Sequence, residues 1–512
     1  MNYAPRLRGT SRRRRLAVDV RSSLNLVGTL TTYLSLTTLV PAAVALGYGE
    51  PPWPFLGAGA IAGGAGFALE RSTRGKNRLG TREGFLVVSL TWLVAATLGA
   101  LPYLLSGDPQ LDRPLDAYFE AMSGFTTTGA SVLTNVEALS HSLLIWRQFT
   151  QWLGGIGIIV LALAVLPRLR VGGRQLLESE MPGPEIESLS SRIADTARRV
   201  WWLYLGLTVA LVAILAALGL TGIDDEMTVF ESVAHALTTL PTGGFGTRLT
   251  SLEEFSAASQ WTIAFFMLLA GANFALMYQA LVRRRPNVFG RDEEFRLYIG
   301  VLALGSIVIG IQLLADGIAT GEAGVRHAVF QTVSIMTTTG FASTDFATWP
   351  VLASMTLVGL MFVGGSAGST SGSVKVVRHL LLGKILRREL DQTVHPEVVL
   401  PVRLNRRVVD ERTLRAVMSF ILLYIGIFIV GAALLAIDAA HTGLDLSVLD
   451  AVAAAATTLG NVGPGFGIAG PYGSFEPFSD FSTFVMIGLM WLGRLEVIPI
   501  VVLASRHYWR TV

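Results

Sequence analysis

Apolar residues in this chain run in long blocks instead of alternating with polar ones. Such blocks cover about 24–46, 53–70, 84–105, 142–167, 200–220, 260–282, 296–315, 350–381, 413–437 and 480–505. A helix needs about 20 mostly apolar residues to cross the hydrocarbon of a bilayer. These ten blocks therefore predict membrane-spanning helices. Shorter, moderately apolar segments lie between some of them, at about 115–127, 227–240, 325–338 and 446–459. They are too short to cross and fit re-entrant half-helices, because irregular backbone at membrane depth is tolerated where it lines a watery cavity.

A small-residue turn follows each half-helix. The four read SGFTTTGAS from Ser123, TTLPTGGFGT from Thr238, SIMTTTGFAST from Ser334 and TTLGNVGPGFG from Thr457. The unit of helix, half-helix, glycine turn and helix thus occurs four times after an N-terminal hairpin at 24–70. Glu120 and Gln331 each lie nine residues before Gly129 and Gly340, whereas Glu231 and Asp450 lie thirteen before Gly244 and Gly463. Repeats of one orientation predict an all-α, pseudo-fourfold pore; inverted repeats would predict a rocking transporter. The corresponding division is a hairpin at 1–80 and repeats at 81–195, 196–291, 292–405 and 406–512.

Composition agrees with a polytopic membrane protein. Of 512 residues, 51% are hydrophobic and 15% charged, where a soluble domain carries about 25% charged residues. The mean hydropathy is +0.54. The net charge of +3 gives no reason to invoke nucleic acid, and the absence of cysteine excludes disulfides and thiolate chemistry. Basic residues cluster at Arg12 to Arg15, between Arg71 and Arg82, between Arg168 and Arg199, at Arg283 to Arg291, between Lys384 and Arg415, and at Arg506 and Arg510. These are alternate loops. The opposite loops carry only scattered basics such as Arg113, Arg147, Arg248 and Arg326. The positive-inside rule then puts both termini in the cytoplasm and all four glycine turns outside. The block at 24–46 is too long for a signal-peptide core and reads as a retained first membrane helix.

A filter that strips water from a cation needs consecutive carbonyls turned toward one axis. Such a backbone demands left-handed angles, which glycine adopts without steric cost. The key glycines are Gly129, Gly244, Gly340 and Gly463. The pairs before them are Thr127–Thr128, Thr242–Gly243, Thr338–Thr339 and Asn461–Val462. Their carbonyls, with threonine hydroxyls as extra oxygens, form the expected ion sites. Each half-helix ends at its turn, and the partially negative C-terminus of its dipole favours a cation there. No ring of carboxylates occupies the turns, which argues against a pore for divalent ions.

Two further features lie inside expected spans. The run GGSAGSTSGSVK, from Gly364 to Lys375, holds too many small polar residues for an ordinary lipid-facing helix. It predicts a broken helix with an intramembrane loop, including Gly364, Gly365, Ser366, Gly368, Ser369 and Gly372, that obstructs the inner half of the pore. Arg494 lies deep in the last span, where a charge marks a functional site by default. It either faces the pore and bonds to carbonyls of the broken loop, or pairs with Glu496 as a structural bridge. Lys375 resembles it but lies nearer the inside, where it can snorkel.

The four turns, the run WLGGIGIIVLALAVLPRL at Trp152 to Leu169, GGSAGSTSGSVKVVR and GNVGPGFG together resemble the TrkH/TrkG/KtrB superfamily of potassium uptake subunits. The likeness covers nearly the whole chain, and the N-terminal hairpin is similar to the TrkH branch. The resemblance implies a homodimer in the inner membrane with one potassium pore per subunit. It implies a cytosolic TrkA-like ring of nucleotide-binding RCK subunits, with any nucleotide held by that partner and no cofactor in this chain. It also implies gating by the loop at 364–373 and by Arg494. In related plant transporters a serine at the first filter glycine goes with sodium preference; Gly129 here implies potassium permeation. Pro241, Asn461 and Val462 depart from fourfold uniformity and imply looser selectivity.

The alternative within transport is a potassium symporter driven by sodium or protons. It needs a titratable or second-ion site in the membrane, and the filter turns offer none; Asp and Glu sit mainly in loops. An enzyme is not expected. HExxH, GxSxG, GxxxxGK[ST] and DKTGT are all absent. His235 and His327 are isolated histidines in half-helices.

Overall fold

The computed structural model describes residues 18–75, 80–164 and 186–510. Arg12 to Arg15, Lys76, Arg78, Arg168, Arg170 and Arg174, on which part of the charge argument rests, lie outside them. The chain is mostly helical. The N-terminal hairpin comprises α1 (Val20–Ser35), α2 (Leu39–Tyr48) and α3 (Trp53–Thr73). Asp19 caps α1 by accepting from the Ser22 amide at 3.0 Å. The hairpin closes tightly because small residues face each other: a methyl group on Gly63 would stand 3.0 Å from the Ser35 hydroxyl, and one on Gly66 2.7 Å from the Thr32 amide.

Four helical units follow. The first contains α4 (Thr81–Ser106), α5 (Pro114–Phe125) and α6 (His141–Ala164); the second α7 (Ile186–Leu220), α8 (Val229–Thr239), α9 (Ala257–Ala270) and α10 (Phe274–Met277). After the short α11 (Asn287–Arg291), the third contains α12 (Glu293–Ala315), α13 (Gly321–Met336), α14 (Val351–Met361) and α15 (Val376–Val394). The fourth contains α16 (Glu411–Thr442), α17 (Val448–Gly460), α18 (Asp480–Arg494) and α19 (Ile498–Ala504), and α20 (Arg506–Trp509) ends the described chain. The expected half-helices are therefore α5, α8, α13 and α17, each displaced by a few residues at its ends.

The ten expected spans are helical where described, but three are broken. The break in 350–381 falls at 362–375, as its glycines and serines predict. The span expected at 260–282 bends by 105° between α9 and the helical stretch from Phe274 to Val282, and that at 480–505 bends by 113° between α18 and α19. Asn273 causes the first bend by capping a new helix, its side chain accepting from the Ala275 and Leu276 amides. At the second, Glu496 and Val497 both take left-handed angles, φ 56° and 59°. By length and composition five helices among the described residues can cross a membrane, or seven if each bent pair is one span.

The all-α expectation needs one correction. β1 (Arg403–Leu404) and β2 (Arg407–Val408) form an antiparallel ribbon with Arg403 opposite Val408. Asn405 and Arg406, with φ 48° and 67°, make the left-handed two-residue turn that suits a hairpin. The ribbon docks on the start of α12, where Asn405 donates to Asp292 at 2.9 Å and Glu293 pairs with Lys384. The core forms two large apolar clusters. One joins the second and third units through residues such as Leu211, Met267, Phe330 and Leu357; the other joins the hairpin to the first and fourth units through Phe55, Phe119, Tyr424 and Met490.

Candidate functional site

The four half-helices end in one way. The amides of Thr128, Gly243, Thr339 and Val462 each donate to the carbonyl five residues earlier, at Ser123, Thr238, Ser334 and Thr457, over 2.8 to 2.9 Å. This six-to-one bond is the Schellman termination, and it requires a left-handed residue just before the donor. Those residues are Thr127, Thr242, Thr338 and Asn461, with φ of 52°, 56°, 58° and 54°. Asparagine tolerates that conformation, but threonine is β-branched and pays about 1–2 kcal/mol for it. Gly129, Gly244, Gly340 and Gly463 follow two residues later, also left-handed, at φ 86°, 78°, 85° and 108°. Glycine angles were expected; the strained threonines were not.

The turns meet one another in cyclic order. A methyl group on Gly129 would run into the Gly243 carbonyl oxygen, one on Gly244 into that of Thr339, and one on Gly340 into that of Val462. One on Gly463 would stand 2.8 Å from the Thr128 carbonyl oxygen, which closes the cycle. All four glycines line a depression of about 70 Å³. Carbonyl oxygens separated only by the missing side chains of glycines are an arrangement that can take the place of water around a monovalent cation.

A second layer holds the turns. Each half-helix sends one side chain to the segment just beyond its glycine. Glu120 accepts from the Val132 amide and the Ser131 hydroxyl, and Glu231 accepts from the Thr247 hydroxyl at 2.5 Å. Gln331 donates to the Phe341 carbonyl and accepts from the Ser343 amide. Asp450 lies against Gly467. Two braces were not read from the sequence. Gln151 of α6 donates to the Gly243 carbonyl at 2.7 Å and accepts from the Phe245 amide at 3.1 Å. Arg147, counted among the scattered basics of the opposite loops, is instead buried in α6. It pairs with Glu120 at 2.7 Å, donates to the Gly246 carbonyl at 3.1 Å and stacks its guanidinium 4.1 Å over Phe245. Carboxylates are thus not confined to loops. The only signal for Arg147 in the sequence was a charge inside an apolar block.

Beneath the turns lies the broken span. Gly364, Gly365, Ser366, Ser369 and Gly372 are buried, and Gly368, left-handed at φ 77°, is exposed. The Gly372 amide donates to the Thr338 hydroxyl at 2.6 Å, and the Thr370 hydroxyl donates to the Leu240 carbonyl at 3.0 Å. These bonds seat the loop against the third and second half-helix ends. Arg494, 1% exposed, donates to the Thr370 carbonyl at 3.0 Å. Glu496 pairs with Arg378 instead, so the Arg494–Glu496 bridge does not form. Lys375 does not snorkel; it is buried and donates to the Ser371 carbonyl. Among the described residues no group of three His, Cys, Asp or Glu is placed to hold a metal ion.

Comparison with known proteins identifies the group to which this architecture belongs. The family model TrkH, described as a cation transport protein, matches residues 58–510. The Trk system potassium uptake protein TrkH of Salmonella typhimurium is 39% identical over 505 residues, covering 96% of this chain and 99% of that protein. The Trk system potassium uptake protein TrkG of Escherichia coli is 34% identical over 500 residues, with 96% and 99% covered. The crystal structure of the potassium transporter TrkH from Vibrio parahaemolyticus superposes with a TM-score of 0.86 at 35% identity, over 96% of this chain and 100% of that one. The chain is a multi-pass membrane protein that belongs to the TrkH family of cation transport proteins.

Proposed function

We propose that this protein takes up potassium across the cytoplasmic membrane through a channel-like pore. The observation that carries the reading is the closed cycle of glycine-to-carbonyl contacts among the four turns. The conducting path runs along the axis of four pseudo-equivalent repeats. Carbonyls of Thr127 to Gly129, Thr242 to Gly244, Thr338 to Gly340 and Asn461 to Gly463 replace the hydration shell of the ion. The left-handed angles of the three threonines, imposed by the Schellman bonds, set the course of the backbone through these positions. The membrane potential supplies the drive, about 2.3 kcal/mol per elementary charge per 100 mV. The loop at 364–373 and Arg494 form the barrier on the inner side. The relatives named for potassium uptake support the choice of ion.

The same reading makes the protein a homodimer with both termini in the cytoplasm. A cytosolic RCK-type ring opens the barrier, and the nucleotide belongs to that ring.

The test is ion flux into proteoliposomes holding this protein alone, with potassium, rubidium or sodium supplied at a negative-inside potential. Uptake of potassium and rubidium above that of sodium, with no second gradient, is expected. Uptake only in the presence of a sodium or proton gradient would replace the pore with a symporter. Equal uptake of sodium and potassium would remove the selectivity.

A further inference from the structure

The intramembrane loop is held by ionisable side chains at three places, and two of them are Arg494 on Thr370 and Lys375 on Ser371. The third is Glu294, in the first turn of α12 and 3% exposed. Its Oε1 accepts two backbone amides: Ala367 at 2.6 Å, inside the loop, and Val377 at 3.2 Å, in the first turn of α15. α15 has no side-chain cap of its own, because Lys375 at its N-cap position makes no capping bond. One carboxylate from another helix therefore does two tasks: it caps α15 and anchors the loop that leads into it. Backbone bonds such as Ser366 N to Gly271 O at 2.8 Å and Phe274 N to Gly368 O at 3.1 Å tie the rest of this stretch. Glu294 instead gathers two buried amides on one side-chain oxygen, so a single group ties the loop to the start of α15. The anchor is itself fixed. The preceding residue, Glu293, accepts from the Asn405 amide at 3.1 Å and pairs with Lys384, tying the start of α12 to the β1–β2 ribbon.

We infer that Glu294 is a positioning residue that holds the intramembrane loop seated beneath the filter turns, so that loss of its carboxylate unseats the loop. The consequence for flux rests on the pore reading; the effect on loop position does not.

The absence of cysteine allows a direct test. Ser366 is 1% exposed and its hydroxyl has no hydrogen-bond partner, so Ser366→Cys introduces a protected thiol at little structural cost. Its labelling by N-ethylmaleimide reports loop opening in the purified full-length protein. Glu294→Ala in this background removes both hydrogen bonds and is expected to raise the labelling rate about tenfold or more, since the loss of one such bond alone accounts for about tenfold. Glu294→Gln keeps one acceptor oxygen in an altered amide group and is expected to fall between the two. A merely structural Glu294 would lower the melting temperature of both variants and leave labelling of the folded fraction at the parent rate, which would overturn the inference. Where Glu294→Ala does not stay folded, Glu294→Gln decides alone: faster labelling supports the anchor and unchanged labelling overturns it. Potassium flux is measured in parallel. A parent protein that passes potassium only when a sodium or proton gradient is supplied overturns the pore reading and leaves the labelling result standing.

Discussion

Arg494 donates to the Thr370 carbonyl oxygen across 3.0 Å, placing its charge on the intramembrane loop. Glu496, two residues on, is turned away by its own left-handed angle and by that of Val497, and pairs with Arg378. The arginine therefore has no carboxylate partner in its own segment. The contact ties the arginine to the loop, and on the proposed pore reading its charge repels cations there. Arg494→Ala is expected to raise potential-driven rubidium uptake about tenfold, as the loss of about 1.4 kcal/mol would. Uptake at or below the parent rate would contradict a barrier role.

The Arg147–Glu120 pair is sealed behind the first two glycine turns, with side chains 2% and 0% exposed. Arg147→Ala strands a buried carboxylate, a change that costs about 3–5 kcal/mol. The expected outcome is a lower melting temperature in detergent, together with weaker discrimination of potassium from sodium. Arg147→Met combined with Glu120→Gln leaves no buried charge and is expected to recover much of the thermal stability but not the selectivity. A single variant as stable as the parent would remove this pair from the support of the filter.

Gly129 has no room for a side chain. Its φ of 86° penalises any Cβ, and that Cβ would overlap the Gly243 carbonyl oxygen. Gly129→Ala is expected to abolish rubidium uptake, with about 1–2 kcal/mol lost to the left-handed conformation alone. Gly206→Ala is the control. Nothing lies within 4 Å of the added atom there, and alanine is favoured over glycine in a helix by about 0.5–1 kcal/mol. Flux there is expected to be unchanged. Equal loss in both variants would show that the first result reflects general damage.

Acid is expected to loosen the attachment of the N-terminal hairpin to α6. Glu50 accepts from the amides of His141 and Ser142 at 2.8 and 2.9 Å, and so caps α6 from the α2–α3 connection. Burial alone would raise its pKa, but the hydrogen bonds from Ser142 and His141 outweigh burial and hold it below the ordinary value. A depressed carboxylate pKa contributes stability above the unfolded value, about 4.3, that is lost as pH falls through the folded one. Melting curves from pH 7 to pH 3 are expected to show the parent above Glu50→Gln at neutral pH, with the gap closing in acid. A gap independent of pH would contradict this assignment.

The order of helices and turns was legible because it rests on local quantities. Block length distinguishes spans from half-helices, and the four threonine- and glycine-rich turns are visible wherever they fall. Even the break at 362–375 announces itself in its glycines and serines. Two other breaks carried weaker marks, Asn273 as a helix cap and Pro499 just after the last bend, and apolar length masked both. The placement of left-handed angles on Thr127, Thr242 and Thr338 was illegible because threonine disfavours them; the Schellman bond of each half-helix imposes them.

The sequence by itself determined where the long apolar helices run, where the shorter half-helices end and which residues stand at the four turns, since hydrophobic length and glycine content act within a few residues. The tertiary structure alone decided which groups meet. Asn461 donates to the Thr128 hydroxyl across 333 positions, Arg494 to the Thr370 carbonyl across 124, and Glu294 accepts from Ala367 across 73. A buried polar atom must find a partner, but the requirement does not name one. Only the packed chain, by excluding water from Glu120, Glu294 and Arg494, selects which neighbour satisfies each.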